Sequence, residues 1–77
     1  MKSRMEEVCQ VLGGNVKTLR QALGISQEEL AFRAELDRTY ISQIERGVGN
    51  PSVFVLLKVA NALGVELVGL FSPRKTK

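Results

Sequence analysis

The chain has 77 residues, 44% of them hydrophobic and 25% charged, with a formal net charge of +3. That length holds one domain, which buries only ~60% of the surface its unfolded chain exposes, and the composition excludes a largely disordered protein. With no histidine, one cysteine (Cys9) and one aspartate (Asp37), it has little for acid–base, nucleophilic or metal-assisted catalysis. Neither an enzyme nor a cofactor or metal site is expected.

Cys9 has no internal partner for a disulfide and reads as a small packing residue. The longest apolar run, residues 53–57, is far short of the ~20 residues of a membrane span, and no signal-peptide pattern follows the first methionine. A cytoplasmic protein without a membrane partner is expected. Gly13 and Gly14 stand alone, without the spacing of a phosphate-binding loop, and no small-molecule ligand is expected. The positive balance fits a polyanionic partner.

The chain reads as five helical segments. The first covers about residues 4–23, with Val8, Leu12, Val16, Leu19 and Leu23 forming one amphipathic stripe. Each glycine of the pair Gly13 and Gly14 weakens this helix by ~1 kcal/mol relative to alanine. The helix either runs through them or starts afresh at Asn15, which would then cap it. Gly24 reads as the glycine that closes the segment.

Ser26 and Glu29 have the spacing of a capping box, opening a second helix over 27–34 with Leu30 and Ala31 inward. Asp37 is placed to cap a third, over 38–46, which Gly47 closes. Asn50, Pro51 and Ser52 form a turn whose serine caps a fourth helix over 53–63, ended by Gly64. A short fifth helix is expected over 66–71.

Two short helices separated by Glu35, Leu36 and Asp37 have the form of a helix-turn-helix. At 100° per residue, Ile41 and Ile44 of the third helix share a narrow sector that must face the core. Thr39, Ser42, Gln43 and Arg46 cluster opposite, with Arg38 and Tyr40 on the flanks. That outer face holds hydrogen-bonding groups and no acid, whereas an ordinary solvated face mixes both signs. Arginine suits guanine, glutamine suits adenine, hydroxyls suit several partners, and an aromatic surface suits the thymine methyl.

These residues carry a resemblance. The run from Gly24 to Ala31 (GISQEELA), the run from Asp37 to Gly47 (DRTYISQIERG) and Asn50-Pro51-Ser52 resemble the Cro/C1 (XRE) helix-turn-helix family over residues 15–71. The resemblance implies an all-α, five-helix, lambda-repressor-like domain that binds double-stranded DNA. It is similar in length to the controller proteins of restriction-modification systems and to stand-alone phage-type regulators.

By the same resemblance, Gln27 bonds a DNA phosphate and braces the recognition helix, or else is only the first residue of its helix. Arg38, Thr39 and Gln43 match base-contacting positions, with Tyr40 and Ser42 beside them; the alternative for each is plain solvent exposure or a phosphate contact. Asn50 lies near the DNA backbone or merely builds its turn. Arg20 and Glu45 match a buried ion pair joining the first helix to the recognition helix; the alternative is two unrelated surface charges. The family commonly has glycine where this chain has Glu35. Either Glu35 adopts a left-handed conformation at a cost of roughly 1–2 kcal/mol, or the turn avoids positive φ.

The whole of residues 1–77 is thus read as one domain, with a DNA-reading core at 26–46, a dimerisation region at 53–71 and a frayed tail at 73–77. The apolar residues after Ser52 exceed what one small core holds, so Val53, Phe54, Leu67, Leu70 and Phe71 are expected at a homodimer contact. Paired recognition helices ~34–36 Å apart would read a palindromic operator. The alternative is an antitoxin that binds DNA and a protein toxin.

Overall fold

The computed structural model describes residues 4–72, so the tail expected at 73–77 lies outside it. Four α-helices follow one another: α1 (Arg4–Ala22), α2 (Gln27–Ala34), α3 (Arg38–Glu45) and α4 (Val53–Leu63). A 3-10 turn, Leu67–Leu70, stands where a fifth helix was expected. The segment is too short, with Gly69 inside it, for i→i−4 bonding to take hold. It closes instead through the tighter bonds of Gly69 N–H to Glu66 O (2.9 Å) and Phe71 N–H to Val68 O (3.1 Å).

α1 is unbroken through Gly13 and Gly14, and the two glycines differ in role. A Cβ on Gly13 would lie 2.4 Å from the Ile44 carbonyl oxygen and 2.8 Å from that of Glu45, so only glycine lets α1 approach the end of α3 this closely. Gly14 faces open space. No new helix begins at Asn15. Its side chain is buried, and its amide donates to the carbonyls of Leu70 (2.8 Å) and Ser72 (2.7 Å). Of the apolar stripe, Leu12 and Val16 are buried and Leu19 packs beside them, while Val8 and Leu23 at its ends are exposed.

The caps explain where the other helices start. Ser26 Oγ accepts the Glu29 N–H (3.0 Å), and Ser52 Oγ accepts the Val55 N–H (3.1 Å). The reciprocal half of the capping box is not made; the Glu29 carboxylate instead accepts from Arg33 (2.9 Å) one turn later. Asp37 stands at the N-cap of α3 with extended backbone, but makes no side-chain cap bond.

All four helices stop in the same way. A residue within two positions of each helix end adopts the left-handed conformation, and long i→i−5 bonds close the ends: Ile25 to Arg20, Leu36 to Ala31, Val48 to Gln43 and Val65 to Ala60. Three of these left-handed positions are Gly24, Gly47 and Gly64. The fourth is Glu35 (φ 58°, ψ 45°), so the turn between α2 and α3 does adopt the strained conformation.

The core lies where the helices converge. Val16 from α1, Leu30 from α2, Ile41 and Ile44 from α3, Val59 from α4 and Leu70 from the 3-10 turn are all essentially inaccessible to solvent. Among the described residues, no helix is long and apolar enough to cross a membrane.

Candidate nucleic-acid interface

Burial of Ile41 and Ile44 fixes the rotation of α3, and everything on its outer face follows. Arg38, Thr39, Gln43 and Arg46 are exposed, whereas Tyr40 and Ser42 are half-buried on the flanks. Tyr40 packs against the core and remains partly in solvent. From Arg38 to Arg46 the helix rises about 12 Å, a span of three to four base-pair steps. α3 has no acid in its first turn, and its one acidic residue, Glu45, is directed inward. Asn50 is exposed beyond α3, after a loop in which Gly47 (φ 75°) and Gly49 (φ 85°) reverse the chain.

Glu45 is the hub that holds this face in place. Its Oε2 accepts Arg20 Nε–H at 2.6 Å and its Oε1 accepts Arg20 Nη2–H at 3.1 Å, a two-point pair. The side chains are only 12% and 3% exposed. Arg20 Nη1–H also donates to the Ile25 carbonyl (2.8 Å), and Gln27 Nε2–H donates to Glu45 Oε1 (3.0 Å). The Glu45 carboxylate therefore ties α1 and the first residue of α2 to the last residue of α3, and the Arg20 guanidinium adds the turn after α1. Gln27 stands at the N-terminus of α2 with one side-chain N–H committed to this hub, leaving its second N–H for another acceptor.

The residues expected at a contact between copies separate into two groups. Val53 and Phe54, at the start of α4, are exposed, Phe54 at 78%, and Leu57 one turn on is exposed as well. Phe71 is 38% exposed, and Leu67 is half-buried against the core. Leu70 is corrected: it is 0% exposed, on the inner side of the 3-10 turn that packs against α1 and α4, and belongs to the core of its own chain.

Sequence reasoning missed two features of the frame. The close approach at Gly13 left no mark beyond the glycine itself. Asn15 did leave one, because residues 12, 15, 16 and 19 share a helical face. A polar residue on that apolar stripe signalled a buried hydrogen bond rather than a cap.

A family model described as helix-turn-helix matches residues 16–70. The chain is 41% identical over 63 residues to an uncharacterised HTH-type transcriptional regulator of Sinorhizobium fredii, covering 82% of each protein. Among solved structures, it resembles the restriction-modification controller protein C.AhdI from Aeromonas hydrophila, with a TM-score of 0.79 at 44% identity, over 82% of this chain and 96% of that one. It also resembles the controller C.Esp1396I, solved as a tetramer in complex with its natural 35-base-pair operator (TM-score 0.76, 34% identity, 91% of this chain and 88% of that one). Further structures of C.Esp1396I are variants in which an arginine is replaced by alanine, or a tyrosine two positions later by phenylalanine. The helix pair, its buried brace and the match over residues 16–70 lead to one conclusion: this chain belongs to the helix-turn-helix family.

Proposed function

We propose that this protein is a cytoplasmic, sequence-specific transcriptional regulator of the Cro/C1 type that binds double-stranded DNA as a homodimer, in the manner of a restriction-modification controller. The observation that carries this reading is the outer face of α3: hydrogen-bonding side chains without an acid, on a helix turned by the burial of Ile41 and Ile44 and braced at its end by a buried carboxylate hub. Residues 26–46 form the DNA-reading core. Arg38, Thr39 and Gln43 meet base edges, Tyr40 and Ser42 flank them, and Gln27, Arg46 and Asn50 meet the phosphate backbone. The arginine and tyrosine changed in the C.Esp1396I variants stand two positions apart, the same spacing as Arg38 and Tyr40.

Residues 53–71 hold the second copy. Phe54, Val53 and Phe71 leave apolar surface in solvent that an isolated small domain has no reason to expose, and C.Esp1396I meets its operator as a tetramer. The antitoxin alternative finds no support among the relatives described above.

Selection of binding sites from random duplex DNA tests the reading. A single two-fold symmetric consensus is expected, with affinity falling steeply between low and physiological salt as phosphate contacts release counterions. Recovery of no consensus, or of a binding curve indifferent to salt, would overturn it.

A further inference from the structure

Asn15 lies in the middle of α1, 3% exposed, and uses its amide to bond Leu70 O at 2.8 Å and Ser72 O at 2.7 Å. Those two carbonyls flank Phe71 on either side. The last carbonyls of a terminal turn have no partner within the turn and ordinarily turn to water. Here a buried side chain 55 and 57 residues away takes them both. The side chains around Phe71 are equally constrained. Leu70 is sealed in the core, and Phe71 borders a groove of about 340 Å³ whose other lining residues are Glu7, Val8 and Val11 of α1. Phe71 is thus an aromatic residue 38% exposed on a backbone gripped from both sides.

We propose that Asn15 is a positioning residue: it holds Phe71, with the adjoining Val8 and Val11 groove, as a preformed part of the contact with a second copy of this chain. The inference rests on the homodimer reading above. The occupant follows from continuity of surface. The 3-10 turn packs against both α4 and α1; Phe71 lines one groove with Val8 and Val11 of α1, and Val68 of the same turn is exposed, as are Val53, Phe54 and Leu57 of α4. A side chain ordered before association adds little ordering cost when the contact forms, which is what distinguishes a presented aromatic from a frayed end.

The test is a double-mutant cycle on dimer dissociation, followed by sedimentation equilibrium. Asn15→Asp keeps the size of the side chain but sets a carboxylate, which has no hydrogen to donate, against two carbonyl oxygens. Asn15→Asp and Phe71→Ala are each expected to weaken the dimer about tenfold, and the double variant no more than about twofold beyond Phe71→Ala alone, because both remove one contact. Wild-type dimer affinity in Asn15→Asp, or losses that multiply in the double variant, would overturn the role of Asn15 while leaving the dimer standing. A wild-type chain that stays monomeric at every concentration overturns the homodimer reading and this inference with it. If Asn15→Asp does not fold, backbone order in the wild-type chain decides. NMR order parameters at Phe71 and Ser72 matching those of α4 support the proposal, and values of a flexible terminus refute it.

Discussion

Glu35 closes α2 in the left-handed region at φ 58°, the only non-glycine residue among the described ones with positive φ. Relief of the Cβ clash is worth roughly 1–2 kcal/mol, against ~0.5–1 kcal/mol of added backbone entropy in the unfolded chain. Glu35→Gly should therefore stabilise the protein by ~0.5–1 kcal/mol, read as a higher urea midpoint with unchanged slope. Glu45 works in the opposite direction. Removing its carboxylate leaves the Arg20 guanidinium, 12% exposed, without its counter-charge and takes an acceptor from Gln27. Glu45→Ala should cost ~3–5 kcal/mol, the usual penalty for breaking one half of a buried pair. A variant that melts with the wild type would show that the hub does not hold α3.

At the scale of helices, the neighbouring glycines of α1 should respond with opposite signs. Gly14→Ala adds a methyl group in open space and should gain up to ~1 kcal/mol of helix propensity. Gly13→Ala drives a methyl group into two backbone carbonyls of α3. It should lose a net ~1–2 kcal/mol in thermal melting, and weaken DNA binding as α3 is pushed aside. On α3 itself, Arg38→Ala should cost ~1–3 kcal/mol per half-site and relax the selected consensus at one symmetric base position. Uniform weakening with an unchanged consensus would instead make Arg38 a phosphate clamp. The start of each of α2, α3 and α4 was legible in the sequence because Ser26, Asp37 and Ser52 are local signals. The ends of α1, α3 and α4 were legible through Gly24, Gly47 and Gly64, whereas α2 ends at Glu35 without that mark. The face of α3 followed from Ile41 and Ile44 alone. What stayed hidden depends on distant partners: whether the first helix survives Gly13, where the Asn15 amide goes, and which side of the last turn Leu70 takes.

For the molecule as a whole, the correction at Leu70 sharpens the test of assembly. Phe54 is 78% exposed and no part of the core, so Phe54→Glu should leave the fold intact while splitting a species of twice the 8.5 kDa chain mass into single chains in sedimentation. Leu70→Glu buries a charge in the core and should unfold the chain outright, so it says nothing about the dimer. A Phe54→Glu protein that remains dimeric would move the contact off α4. The tie from Asn15 to Leu70 and Ser72 also bears on the order in which the chain assembles. Each helix end is secured by bonds within a few residues, and such local steps are fast. The Asn15 bonds enclose more than fifty residues and wait until the intervening helices have packed. Helices α2 and α3 are therefore in place before the last turn is locked, and the setting of Phe71 is the final step of folding.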